Sequence, residues 1–504
     1  MTGDDSKSKM QARTIILKHY QAILSNTGMI MSMVGVLMFT PLLVLFAWHD
    51  EWIYAKDFVI PALVLIGVGG ALWRILKSRI PAPLTIQDGG VVVLLSWVIA
   101  SVFAGFPFMS VLRLNFTQAI FESVSGWTTT GLSVVDVAKS PNMVLLWRSI
   151  TQLIGGAGLA IITLAAITGP TGAGLTIAEG RTEQLAPHVR SSIKRVVILY
   201  AGYAVLGIIL FKLAGMNFFD AINHSFAAIS TGGFSTKTEN IAFWDSTAID
   251  LVSVPLMILG NMNFLTVYML VRGKFKAVYR NGEVKAMATL IPICIILVFY
   301  LVSNSIYPTF GKSIRVAIVE VVTALTTTGF MSTVYTEWNA IGYLILIILM
   351  IIGGGTCSTA GGVKQYRVYI LFKSFIWEIK RAFLPKNAVV ENYFWRGDQK
   401  EYISGELLRQ LISFVSLYMF IYVLGTGIIA AHGYKLNEAM FEFASSLSTV
   451  GISCGVSVAS APPLVLWTET LGMFLGRLEF FVILVSIGKI IRDLTSLTTG
   501  RTKL

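Results

Sequence analysis

The sequence predicts an all-α polytopic membrane protein, with two extra transmembrane helices followed by four pseudo-symmetric helix–loop–helix units. Three observations predict it. The 504-residue chain is 55% hydrophobic and 13% charged, with mean hydropathy +0.72, far from the composition of a soluble domain. Apolar runs of about 20 residues, enough to cross a bilayer core, recur along nearly the whole length. One polar motif, Thr-x-Gly, returns four times, which marks an internal repeat.

The elements follow in order. After a polar start at 1–26, apolar runs at 28–48 and 58–76 are read as the two extra spans. The first is too long for a signal-peptide core and no small-residue cleavage site follows it, so it reads as retained. The first unit then sets out a spanning run at 91–108, an amphipathic run at 116–127 too short to span, a Thr–Gly stretch at 128–133, and a spanning run at 143–167. Repetition of this layout divides the chain into an N-terminal part at 1–88 and units at 89–193, 194–283, 284–402 and 403–504.

The four copies are AIFESVSGWTTTGLS from Ala119, AINHSFAAISTGGFS from Ala221, AIVEVVTALTTTGFM from Ala317 and AMFEFASSLSTVGIS from Ala439. Each has Glu or His at its fourth position (Glu122, His224, Glu320, Glu442) and a glycine nine residues later. Those glycines, Gly131, Gly233, Gly329 and Gly451, lie 102, 96 and 122 residues apart in turn, and Thr129, Thr231, Thr327 and Thr449 stand two residues before them. A lone TTTG signals no more than close helix packing. Four copies in register point to one repeated unit.

Non-spanning backbone at membrane depth is tolerated only where protein or a water-filled cavity surrounds it. Four such segments are therefore expected to converge on one axis and line a pore. A dehydrated K⁺ needs several oxygen ligands in place of water, and rings of backbone carbonyls supply them without buried charge. The triplets Thr129, Thr130, Gly131; Thr231, Gly232, Gly233; Thr327, Thr328, Gly329; and Thr449, Val450, Gly451 can each present carbonyls, the glycine tolerating φ > 0. The variable middle residue fits a position whose backbone alone faces the ion. Each short helix would aim its partially negative C-terminus at the axis. Glu122, Glu320 and Glu442 are read as capping these helices, with cation enrichment at an outer mouth as the alternative.

Two further features lie outside the triplets. The run Gly353, Gly354, Gly355, Thr356, Cys357, Ser358, Thr359, Ala360, Gly361, Gly362 interrupts the last span of unit 3 with residues of low helix propensity, so the helix should break there. Arg477 lies inside the apolar run 464–491. An arginine at bilayer depth costs about 2.5–3.5 kcal/mol on insertion scales, so it should face the interior with partners, Glu479 among the candidates. Arg148, near a membrane end, is read as snorkelling.

Lys and Arg crowd alternate connecting segments, among them Lys7 to Lys18, Arg272 to Lys285 and Lys364 to Lys400. This positive-inside pattern places both termini in the cytoplasm and accounts for the net charge of +12 without nucleic acid. Cys294, Cys357 and Cys454 are too scattered for a disulfide framework or a metal site, and the five histidines form no ligand cluster. GISCG, from Gly451, matches the serine-hydrolase elbow, but no histidine follows His432. GPTGAGLT, from Gly169, has Leu175 where a phosphate-binding loop needs lysine. Neither supports an enzyme.

The four units, together with WRSITQLIGGAGL from Trp147, STGGFSTKTEN from Ser230, GGGTCSTAGGVK from Gly353 and GRLEFF from Gly476, resemble the Trk/Ktr/HKT superfamily of cation transporters, and the Trk-type membrane subunit most closely. The resemblance implies a K⁺-selective pore in the plasma membrane, lined by the four glycines. It also implies that residues 353–362 and Arg477 gate the pore below the filter. The implied assembly is a homodimer served by a cytosolic ring of nucleotide-binding regulatory subunits. A Na⁺-permeable or Na⁺/H⁺-coupled relative is the alternative, and an intramembrane hydrolase a remote one. Two positions depart from the repeat: Val450, where other copies have Thr or Gly, and Met331, where others have Ser.

Overall fold

The computed structural model describes residues 3–77, 84–158, 189–385, 392–396 and 399–499. The GPTGAGLT segment and the end of the 143–167 run lie outside the described residues. Among the described residues, six helices are long and apolar enough to cross a membrane: Arg13–Phe46, His49–Leu76, Ile86–Leu112, Lys194–Leu213, Gly282–Ile306 and Gly405–Ala431. The first two are the extra pair, and the other four open the four units in turn. Among the described residues, the departure from all-α structure is one antiparallel hairpin, Tyr393–Arg396 with Gln399–Tyr402.

Each opening helix leads into a short one: Phe116–Trp127, Phe218–Ile229, Phe310–Thr326 and Leu436–Leu447. A 12-residue helix such as Phe116–Trp127 covers about 18 Å, well short of a hydrocarbon core of about 30 Å. Their N-termini are held locally. Asn115, Asn217 and Thr309 accept from the backbone N–H three residues on. In the fourth, the Glu438 carboxylate reaches back to the Lys435 N–H at 3.4 Å. Glu122, Glu320 and Glu442 lie further into their helices and do not cap them.

The third helix of each unit is Asn142–Ala157, Thr247–Asn261, Ala340–Ile352 or Pro463–Leu478, between 13 and 16 residues. The glycine run at 353–362 predicts a break in unit 3 alone, yet the chain breaks after every one of them. It turns at Gly158 with φ +91° and at Gly353 with φ +68°. It bends by 115° into Phe264–Val271 and by 98° into Phe480–Thr498. The expected continuous span at 464–491 is therefore two helices meeting at Glu479, whose φ is +55°.

The units close into a ring. Asn142–Ala157 packs on the short helix of unit 2, and Thr247–Asn261 on that of unit 3. Ala340–Ile352 packs on that of unit 4, and Pro463–Leu478 returns to that of unit 1. The extra pair lies against unit 1, its Ile30, Val34, Phe58 and Leu65 sharing a core with Val92, Trp97 and Trp147. Glu51, at the start of the second helix of that pair, caps unit 1's third helix by accepting the N–H groups of Asn142 and Met143, both at 2.8 Å.

Candidate ion-conduction site

The short helices end alike. Thr129, Thr231, Thr327 and Thr449 all take the left-handed conformation, with φ between +51° and +55°, a strained choice for a β-branched residue. The residue after each donates its N–H five residues back: Thr130 to Ser125, Gly232 to Ala227, Thr328 to Thr323 and Val450 to Ser445, at 2.8 to 3.0 Å. This is the closing bond of a helix end that turns left-handed. It uses up that N–H and leaves the residue's carbonyl to point elsewhere.

The four glycines show where. All have positive φ, from +73° to +98°. A Cβ placed on Gly131 would lie 2.2 Å from the Gly232 carbonyl oxygen; on Gly233, 2.3 Å from that of Thr328; on Gly329, 2.0 Å from that of Val450; and on Gly451, 2.0 Å from that of Thr130. Unit 1 abuts unit 2, 2 abuts 3, 3 abuts 4, and 4 closes on 1. The structure thus brings all twelve triplet residues together around one axis, with no room for a side chain at the glycines. In the second copy Gly233, not Gly232, has the positive φ, as the repeat alignment requires.

The middle residues turn their side chains away. Thr130 Oγ1 bonds Thr128 Oγ1, and Thr328 Oγ1 bonds Thr326 Oγ1, each at 2.8 Å. Val450 is buried in the apolar core, so its departure from the pattern alters packing and not the carbonyl. At Gly232 the space is filled by Gln152, which accepts from the Phe234 N–H at 3.2 Å and donates to the Gly232 carbonyl. Among the described residues, the hydroxyl oxygens of Thr129 and Thr449 are buried and find no hydrogen-bond partner. Buried oxygens in this state suit an oxygen-seeking cation.

The acids at the fourth position of each copy brace the stretch after the glycine. All three are fully buried, so neither the capping nor the outer-mouth reading holds. Glu122 accepts from the Val134 N–H and Ser133 Oγ, both at 3.0 Å; Glu320 from the Ser332 N–H at 2.8 Å and from Tyr335; Glu442 from Ser453 Oγ at 2.6 Å and the Cys454 N–H at 2.9 Å. His224 takes this place in unit 2, with Nε2 2.9 Å from Ser235 Oγ. Met331 is explained here: Ser332, one residue on, supplies the hydroxyl to Glu320 at 2.7 Å.

Arg148 does not snorkel. It is 2% exposed, donates to Glu122 Oε1 at 2.7 Å, to the Ser235 carbonyl at 3.1 Å and to Ser133 Oγ at 2.9 Å, and lies 3.9 Å over the Phe234 ring. It therefore ties the first segment to the second, a role that sequence reasoning missed.

Residues 353–362 form a loop under the threonine side of the ring. Gly353, Gly354 and Gly362 make its neck, the Gly354 N–H bonding the Gly361 carbonyl at 3.0 Å. Gly355 and Thr356 anchor away from the axis, on Asn261 and Glu283. The Cys357 carbonyl accepts the Phe264 N–H at 3.3 Å, and Ser358 Oγ donates to Gly355 at 2.6 Å. Thr359, Ala360 and Gly361 form the tip. Thr231 Oγ1 lies 3.1 Å from Thr359 Oγ1, and the Gly361 N–H donates to Thr327 Oγ1 at 2.7 Å. A Cβ on Gly361 would lie 2.1 Å from Thr449 Oγ1.

Arg477 clasps this tip. Its guanidinium donates to the Thr359 carbonyl and to the carbonyls of Gly155 and Gly156 at 2.6 and 3.1 Å, bridging units 3 and 1. Glu479, the neighbouring carboxylate, pairs instead with Arg367 at 2.8 Å. On the loop's other side opens a cavity of about 440 Å³ lined by Ser358, Lys364, Arg367, Arg477 and Glu479 among others.

The family model for TrkH, a cation transport protein, matches residues 55–493. The chain belongs to the TrkH family. Among relatives of this TrkH-family protein, a cation transporter of Methanocaldococcus jannaschii is 29% identical over 93% of this chain and 95% of its own length. The Trk system potassium uptake protein TrkH of Escherichia coli is 29% identical over 93% of this chain and 98% of its own. The crystal structure of the potassium transporter TrkH from Vibrio parahaemolyticus superposes with a TM-score of 0.80 at 26% identity, covering 92% of this chain and 98% of that one.

A TrkH-family chain is a multi-pass transport protein and not an enzyme. The hydrolase elbow fails on structure as well. Gly451 follows the helix Leu436–Leu447 where the motif requires a strand, and Ser453 Oγ donates to Glu442.

Proposed function

We propose that this TrkH-family protein takes up K⁺ across the plasma membrane through the axis of the four Thr-x-Gly segments. The observation that carries the reading is the closed ring in which each glycine abuts the next unit's carbonyl. Four carbonyl-bearing strands around one axis replace a hydration shell without fixed charge, which suits a weakly hydrated monovalent cation. The potassium transport named for its relatives points the same way.

Residues 353–362 and Arg477 act as the gate. The loop tip lies against three of the four filter threonines, and the guanidinium sets positive charge beside it. Opening requires the tip to leave those partners. The basic segments face the cytoplasm with both termini, by the positive-inside rule. That face docks a cytosolic nucleotide-binding regulatory subunit, and the protein works as a homodimer in lipid; both follow from the family resemblance.

Flux into proteoliposomes, compared for K⁺, Rb⁺ and Na⁺, tests this function. K⁺ and Rb⁺ should pass and Na⁺ should be discriminated against. Equal passage of Na⁺ and K⁺ would favour a Na⁺-permeable pore, and dependence of uptake on a Na⁺ or H⁺ gradient would favour coupled transport.

A further inference from the structure

We propose that Glu469 is a buried proton-binding site that braces the fourth Thr-x-Gly segment. The third helices of units 1 and 4 start alike: Pro141 accepts the N–H groups of Val144 and Leu145 at 3.0 and 3.1 Å, and Pro462 those of Val465 and Leu466 at 3.0 and 3.2 Å. Seven residues after these prolines stand Arg148 and Glu469. In unit 1 that position answers buried Glu122 with a positive charge at 2.7 Å. In unit 4 it brings a second carboxyl group toward buried Glu442, and both acids are fully enclosed.

The hydrogens available to this pair fix its charge. Ser457 Oγ lies 2.6 Å from Glu442 Oε1 and 3.0 Å from Glu469 Oε2. A serine hydroxyl has one hydrogen to give, and an ionised carboxylate has none. With both acids ionised, one of these contacts would oppose lone pairs away from bulk solvent. Glu442 has the donors an anion needs: Ser453 Oγ at 2.6 Å and the N–H groups of Cys454 and Ser457, each at 2.9 Å. Among the described residues Glu469 meets Ser457 alone, and its Oε1 is buried without a partner. Each contact is satisfied when Glu469 is neutral. Its O–H then donates to Ser457 Oγ, whose own hydrogen goes to Glu442, and the orphaned Oε1 is the carbonyl of an uncharged acid, which costs far less than a bare charge.

The other titratable groups around the pair leave it in this state. Glu438 is engaged by Lys435 at 3.3 Å, and Cys454 Sγ lies 3.3 Å from Glu442 Oε2. The short helix of unit 1, packed on Pro463–Leu478, brings Glu122, already answered by Arg148. Gly405–Ala431 brings Tyr418 and Tyr422, bonded to Ser448 and to the Met440 carbonyl. Ala340–Ile352 brings Tyr343, bonded to the Tyr335 carbonyl, and Tyr434 precedes the short helix of unit 4. Removing the proton from Glu469 would place a second negative charge by Glu442 and break the serine bridge. Glu442 holds Ser453, Cys454 and Ser457 just beyond Gly451, so the loss would reach the fourth segment.

Infrared difference spectroscopy of the full reconstituted protein tests the site directly. A carbonyl band of a neutral carboxyl group, shifted in D₂O, should be present in wild type at neutral pH and missing from Glu469→Gln. An unchanged band overturns the proposal. Should Glu469→Gln fail to fold, Ser457→Ala must shift the band, since it removes the acceptor of the O–H; an unshifted band counts against the site. Resting on the conduction reading, wild-type flux should fall with rising pH, about tenfold per unit once a single proton site empties. In Glu469→Gln that dependence should vanish, and its persistence contradicts the role in conduction. The spectrum needs no ion flow, so failure of the site and failure of the filter reading are distinguishable.

Discussion

Replacing Gly451 by alanine strikes the joint where the ring of carbonyls closes. The added Cβ would lie 2.0 Å from the Thr130 carbonyl oxygen and 2.9 Å from Gly131 Cα, where ordinary contact begins at 3.4 Å. Backbone from the opposite end of the chain must therefore retreat by about 1.4 Å. The side chain would also sit at φ +96°, a strain of about 1–3 kcal/mol. In pre-organised sites a misplacement of about 1 Å costs about a hundredfold, and a carbonyl ring holding a dehydrated ion is such a site. Rb⁺ flux into proteoliposomes should fall by about that factor, with K⁺ over Na⁺ preference reduced, while the protein still elutes as folded. Gly427→Ala is the control: it lies on the helix Gly405–Ala431, and its Cβ would meet nothing within 4 Å. Wild-type flux and selectivity in Gly451→Ala would refute the reasoning.

Three other outcomes are expected. Arg477→Gln removes charged hydrogen bonds to the loop tip worth about 1.5–3 kcal/mol; flux should rise roughly ten- to a hundredfold, and unchanged flux in both this variant and a loop shortened within 353–362 would dismiss the gate. Arg148→Met strands buried Glu122 and should destabilise by about 3–5 kcal/mol in thermal unfolding, whereas adding Glu122→Gln should recover part of the loss. Asp245 lies outside the spans, and the hydrogen bond from the Lys312 ammonium at 3.1 Å, with the Arg315 guanidinium, holds its carboxyl below the usual 3.8. A carboxyl lowered on folding contributes stability above its unfolded value and loses it as pH falls through the folded one. Acid below about pH 4 should thus lower the melting temperature of wild type more than that of Asp245→Asn.

The four-unit plan and the twelve triplet residues were legible because they rest on repetition, and a repeat in register survives even where single residues vary, as at Val450. The loop at 353–362 was legible because glycines break helices visibly. The breaks after Asn261 and at Glu479 were not, since Gly260 and Gly476 each stand singly in an otherwise apolar run, and an isolated glycine is tolerated inside a helix. Contacts between units were also hidden. Nothing local told that Arg148 reaches back to Glu122, or that Glu51 from the extra pair caps Asn142–Ala157. Glu122, Glu320 and Glu442 were visible as a repeated feature but assigned the wrong task, because their partners lie eleven to fifteen residues onward, past a reversal that only the folded ring defines. The register that aligns Glu469 with Arg148 is likewise set by the prolines opening two helices of different sequence.

The central claim is that the four glycine-closed segments bind the transported ion. A crystal structure of the protein with Rb⁺ in place of K⁺ tests it most directly. Anomalous peaks on the axis, among the carbonyls of Thr130, Gly232, Thr328 and Val450, are the predicted result. Rb⁺ sites located elsewhere, with none on that axis, would contradict it.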